Sequence, residues 1–138
     1  NVPLPYGSGD ATYAAVFDQL IVPALRRFQP QLILASAGYD AHWRDPLGPM
    51  TLSVNGYNRI TQTLLNLAGE LCAGRLALIL EGGYDLDALG ACVVGALRLL
   101  LGQDPGQDPF GSVRAPEPDV AALIAAIRNS HPLLAATP

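Results

Sequence analysis

The segment Gln31 to Tyr39 (QLILASAGY), with its later counterpart Arg75 to Tyr84 (RLALILEGGY), decides the fold. Each is a short apolar run; the first is bounded by Pro30 and Gly38, and the second leads at once into Glu81-Gly82-Gly83-Tyr84. Such runs are too short for helices and too uniformly apolar for a half-exposed strand, so each reads as a strand buried on both faces, as in a parallel sheet. Helical periodicity surrounds them. Tyr13, Val16, Phe17, Leu20, Ile21, Ala24, Leu25 and Phe28 recur at three- and four-residue steps ahead of the first run, with Asp10 as the expected N-cap. Pro23 falls inside that pattern and is expected to kink or split the helix, because it lacks an amide donor. A second helix begins near Ser53 and stops at Gly74, and a third runs from about Leu86 to Gly102. The last starts near Pro118 and stops before Pro132. Strands alternating with helices imply crossover connections and an α/β fold, a parallel sheet flanked by helices. Two fully apolar strands need neighbours, and only the short segment near residues 1–5 is on offer, so the chain reads as a partial domain.

Composition excludes several classes. Half of the 138 residues are hydrophobic and 14% are charged, which is incompatible with a disordered tail. The net charge of -4, with all eight basic residues arginine, argues against direct nucleic-acid binding. No apolar stretch approaches the roughly 20 residues of a membrane span. Cys72 and Cys92 fall in helical patterns and read as buried, inert thiols, and a reducing, cytoplasmic setting is the expectation. The chain opens on Asn-Val-Pro, which suggests processing or a piece of a longer protein. Residues 103–117 repeat Gln-Asp-Pro and read as a loop or linker.

In parallel sheets ligands bind beyond the carboxyl ends of the strands. Two loops occupy those ends here: GYDAHWRDPLGPM after Ala37 and EGGYD after Leu80. Right-handed crossovers place both on one rim, so Asp45 and Tyr84 can converge. A carboxylate there can hold a divalent metal and a tyrosine hydroxyl can donate to a developing oxyanion, which suggests metal-assisted hydrolysis of a carbonyl compound. Plainer readings stand beside this one. Asp45 before Pro46 is an ordinary turn starter, Asp40 a loop brace, His42 a surface histidine, and Tyr84 a core tyrosine. Gly82-Gly83 ahead of a helix could also receive an anion, although Glu81, Asp85 and Asp87 would repel phosphate.

Taken together, NVPLPYGSGDATY, LILASAGYDAHWRDPLGPMTLS and ALILEGGYDL resemble the C-terminal half of the histone deacetylase family, over residues 1–102. The Glu-Gly-Gly-Tyr form is similar to the class II-like branch, with bacterial acetoin-utilization proteins and acetylpolyamine amidohydrolases among its relatives. The resemblance implies an arginase/deacetylase-like fold, with residues 118–131 as a C-terminal helix of the same domain. It implies a zinc-dependent deacetylase hydrolysing the N-acetyl amide of a lysine side chain or a polyamine by metal-activated water. Position by position, it implies Asp45 as a Zn2+ ligand and Tyr84 as the oxyanion donor. Gly82 and Gly83 would line the acyl tunnel, with Leu52 near its wall. Trp43 and Arg44 stand where an Arg-Gly pair is more usual. The family's Asp-x-His ligand pair and paired histidine base have no match here. They are expected from a missing N-terminal half, so this chain alone should be inactive and bind zinc weakly. Ferrous iron would suit similar ligands. The alternative is a non-catalytic remnant or interaction module, self-associating as a homo-oligomer through free strand edges.

Overall fold

The computed structural model describes residues 1–135. Its elements run α1 (Asp10–Val16), a π-helical turn (Phe17–Ile21), α2 (Val22–Phe28), β1 (Ile33–Ala37), α3 (Val54–Cys72), β2 (Leu76–Leu80), α4 (Leu86–Leu100) and α5 (Ala121–Ser130). β1 and β2 pair in parallel, with Ile33 opposite Leu76 and Ala37 opposite Leu80. The sheet has two strands, and residues 1–5 do not join it.

The helices gather on one face of this pair. Ile33 is buried against Leu67, Ala68 and Cys72 of α3, with Leu25 of α2 beside them. The opposite face is bare: Leu34 and Ile79 are 61% and 51% exposed. The expectation of strands buried on both faces is therefore corrected. Their all-apolar sequence is what a parallel sheet needs when covered on both sides, and these residues supply only one cover.

Pro23 acts as its chemistry requires. Its ring crowds the carbonyl four residues back, Gln19, and the helix widens into the π turn immediately before it. The Gln19 carbonyl then accepts from Arg128 Nη2 of α5 at 3.3 Å. Val16 and Leu20 pack on Val120 and Ile124, which docks α5 on the same helix.

Asp10 is not the N-cap of α1; Gly9 is. The free amides of the first turn are instead met from a distance by Glu117, whose carboxylate accepts from Gly9 N (2.9 Å), Ala11 N (3.0 Å) and Thr12 N (2.7 Å). Asp10 turns to α3, accepting from Ser53 N at 2.8 Å and from Ser53 Oγ. Ser53 in turn caps α3 by accepting from Gly56 N. Residues 103–117 hold no helix or strand, yet they pack on the body of the fold. Phe110 lies against the central core of Tyr39, Leu52, Val54, Tyr57 and Cys92. Both cysteines are free and buried, and burial pushes the Cys92 thiol up to about 12. No helix among the described residues is long and apolar enough to cross a membrane.

Candidate active site at the strand ends

The parallel pairing continues past both strands. Glu81 N donates to Ala37 O at 3.1 Å and Tyr39 N to Gly82 O at 2.8 Å. This register carries Gly38-Tyr39-Asp40 alongside Glu81-Gly82-Gly83, so the two loops share one rim as the crossover argument requires.

At that rim the two aspartates have opposite surroundings. Asp45 is 8% exposed. Its Oδ1 accepts from Leu47 N (2.9 Å) and Gly48 N (3.2 Å), and its Oδ2 from Tyr84 N (2.7 Å) and Asp85 N (3.4 Å). Burial opposes its ionisation, but the amides of Tyr84, Leu47, Gly48 and Asp85 outweigh that and hold the carboxyl below its ordinary range. The carboxylate staples one loop to the other. Two of these bonds are short and two are long, so the amides fix the orientation of the carboxylate, as the hydrogen-bond partners of a metal-ligating carboxylate do.

Asp40 is the reverse. Its carboxylate accepts no hydrogen bond among the described residues and borders a cleft of about 420 Å³ between α1, β1 and α3. The cleft is otherwise mostly apolar, with Tyr13, Phe17, Tyr57 and Leu64 in its walls. Two glycines make room for this carboxylate. A Cβ on Gly82 would stand 2.7 Å from Asp40 Oδ2, and one on Gly38 would stand 3.1 Å from Oδ1. The backbone beneath is equally tight, since a Cβ on Gly48 would strike the Asp40 carbonyl at 1.7 Å. Asp40 thus stands free at the edge of the cleft, whereas Asp45 is held by amides of both loops.

The tyrosine sits on the other loop. Gly83 adopts φ +132°, a value that only glycine holds without strain, with Tyr39 and Leu89 closely packed about it. It turns the chain so that the Tyr84 amide reaches Asp45 while the Tyr84 side chain stays 54% exposed. Among the described residues no group accepts from its hydroxyl, so the core-tyrosine reading fails.

Two further expectations change. Leu52 is wholly buried in the central cluster and can line no open tunnel. Its amide and carbonyl instead tie the first loop down, through Leu52 N to Ala41 O (3.0 Å) and Trp43 N to Leu52 O (2.9 Å). Leu47, which the sequence reading passed over, is 71% exposed and shares a second hollow with Asp40. His42 is not a surface residue but 1% exposed. Burial is the main influence on it and depresses its pKa, leaving a neutral ring whose Nδ1 accepts from Arg44 N at 3.1 Å. Its Nε2 has no hydrogen-bond partner among the described residues. Tyr57, from α3, accepts from Ala41 N through its hydroxyl and fixes the loop from below.

Among the described residues no three histidine, cysteine or acidic side chains cluster as a metal site. The donor set supports one ligand of such a site.

Comparison with known proteins agrees with this architecture. The family model of the histone deacetylase domain matches residues 1–100. The chain is 46% identical over 104 residues to histone deacetylase 14, chloroplastic, of Arabidopsis thaliana, covering 75% of this chain and 25% of that protein. It is 36% identical over 131 residues to a probable deacetylase of Archaeoglobus fulgidus, covering 94% of this chain and 35% of the relative. Among solved structures, the HDA15 HD domain superposes with a TM-score of 0.75 at 34% identity, over 94% of this chain and 33% of that one. The histone deacetylase Clr3 superposes at 0.79 with 30% identity, over 94% and 21%. The chain thus spans about a quarter to a third of the length of these relatives, which come from plants and an archaeon. On the family-model match and these superpositions, the chain belongs to the histone deacetylase family.

Proposed function

We propose that this chain is part of a zinc-dependent deacetylase that hydrolyses an N-acetyl amide of a lysine side chain or a polyamine. The observation that carries the reading is the Asp45 carboxylate, which accepts from the Tyr84 amide at 2.7 Å and so brings the two loops and the exposed Tyr84 together at one rim. Asp45, oriented by the backbone amides of both loops, is the residue that would hold the metal. Zinc, when bound, would supply the acidity that activates water and polarises the acyl oxygen. Tyr84 donates its hydroxyl proton to the oxygen as negative charge builds on it, and so stabilises the tetrahedral state. Asp45 holds the Tyr84 backbone in register with the Asp40 loop. Gly82 and Gly83 let the acyl chain approach the backbone, and Leu47 offers it an apolar wall.

One carboxylate is too few for a catalytic zinc, which takes three protein ligands. The other ligands and the general base come from the rest of the protein in this reading. The same portion covers the bare Leu34 and Ile79 face. Alone, the chain is inactive and binds zinc weakly.

The test is a deacetylase assay of the full-length protein with metal analysis. Tyr84→Phe is expected to lower kcat by about 10²–10³-fold with zinc retained. Asp45→Asn is expected to lose both zinc and turnover. Full zinc content and turnover in Asp45→Asn would refute the anchor. Tight stoichiometric zinc binding by the 138-residue chain in calorimetry would refute the partial-site reading.

A further inference from the structure

The loops carry one ion pair that the proposed chemistry does not use. Arg44 lies between the two aspartates in sequence, and its side chain leaves the cleft and crosses to the start of α4. Its Nε donates to Asp85 Oδ2 at 3.1 Å, and its Nη2 stands 3.9 Å from Asp87 Oδ2. The guanidinium carbon sits 4.4 Å from the centre of the Phe110 ring, so the cation is held between a carboxylate and an aromatic face. The pair is largely sheltered, with the Arg44 and Asp85 side chains 32% and 18% exposed.

Each partner is itself fixed. Asp85 caps α4, its Oδ1 accepting from Ala88 N at 2.9 Å. Phe110 is anchored by Asp108, whose Oδ1 accepts from Phe110 N (2.8 Å) and Gly111 N (2.9 Å). The neighbouring Trp43 donates from Nε1 to Gly111 O at 2.9 Å. The segment that reads as a linker is therefore a shelf beneath Arg44.

We infer that Arg44, clamped between Phe110 and Asp85, is a positioning residue for Tyr84. The path is short. Asp85 is covalently next to Tyr84, and the amides of both donate to Asp45 Oδ2. Arg44 fixes the Asp85 side chain while Asp45 fixes the Tyr84 and Asp85 backbone, so the loop is gripped from two sides. Tyr84 is exposed and follows a glycine at φ +132°, so its own packing supplies little restraint. Asp87 is the weaker partner, since its side chain is 82% exposed. Lysine cannot reproduce the arrangement, because a planar guanidinium both stacks on a ring and directs Nε to a carboxylate.

The inference rests on Tyr84 acting as the proposed oxyanion donor, and a double-mutant cycle on the full-length enzyme separates the two. Arg44→Gln is expected to lower kcat on the order of tenfold, a modest misplacement of a catalytic group, with KM and zinc content within about twofold of wild type. Arg44→Lys should recover only part of that loss, and Phe110→Leu should reproduce a milder form of it without the charge change. In the Tyr84→Phe background, Arg44→Gln should cost nothing further, because the group it positions is gone. An equal loss in both backgrounds would overturn the inference while leaving the role of Tyr84 intact, as would full kcat in Arg44→Gln beside an impaired Tyr84→Phe. Full turnover in Tyr84→Phe would overturn the function reading and this inference together.

Discussion

Replacing Asp45 with alanine should destabilise the fold, whereas replacing Asp40 with asparagine should not. Asp45 accepts two short amide bonds, at 2.7 and 2.9 Å, and two longer ones at 3.2 and 3.4 Å. A hydrogen bond to a charged group contributes about 1.5–3 kcal/mol, and the four share one carboxylate, so they do not add. The loop is near the surface, and water can reach some of the freed amides. The expected cost of Asp45→Ala is about 2–4 kcal/mol. Asp45→Asn should cost nearly as much, because the new amide group turns donors toward donors. The Asp40 carboxylate has no such partners, so Asp40→Asn should stay within about 0.5 kcal/mol of wild type. The measurement is urea denaturation of the full-length protein stripped of metal with a chelator, since bound metal would add its own stabilisation. Equal destabilisation by the two substitutions, or none by Asp45→Ala, would show that the roles assigned to these carboxylates are wrong.

Three further outcomes follow from the same structure. Gly95→Ala should cost about 1–3 kcal/mol, since its Cβ would stand 2.3 Å from the buried Asn58 Oδ1, and Asn58→Ala in the same molecule should recover most of it. Glu117 is opposed by burial but held below its ordinary 4.5 by the groups of Thr12, Ala11 and Gly9. Its contribution is therefore full above the unfolded value and disappears as pH falls through the folded one. Denaturation from pH 7 to 3 should show wild type losing its advantage over Glu117→Gln only in the acid range, and a constant difference would contradict this. Gly82→Ala would press a methyl against Asp40 Oδ2 at the rim beside Tyr84, so turnover in the full-length protein should fall while zinc content stays within about twofold of wild type.

Much of the framework was legible because it depends on local chemistry. Two short apolar runs, one ended by Gly38 and the other by Glu81-Gly82, became β1 and β2. Ser53 before a periodic stretch became the cap of α3, and Pro23 opened its helix into a π turn. The order of three motifs was enough to suggest the family. The bare sheet face was not legible, because an apolar strand reads the same whether or not its second cover is present.

The site divides along the same line. Sequence by itself placed two acidic loops and a Gly-Gly-Tyr turn at the carboxyl ends of parallel strands, since strand polarity and the hand of the crossovers leave no other rim for them. Which aspartate meets four amides and which stays free depends on how each loop folds over the other strand's glycines. Spacing along a chain does not encode that. The same holds for Leu47 and Leu52, two identical side chains in one loop, one 71% exposed and the other sealed in the core. Their difference exists only once Tyr57, from α3, and the Leu52 backbone pin the loop in place.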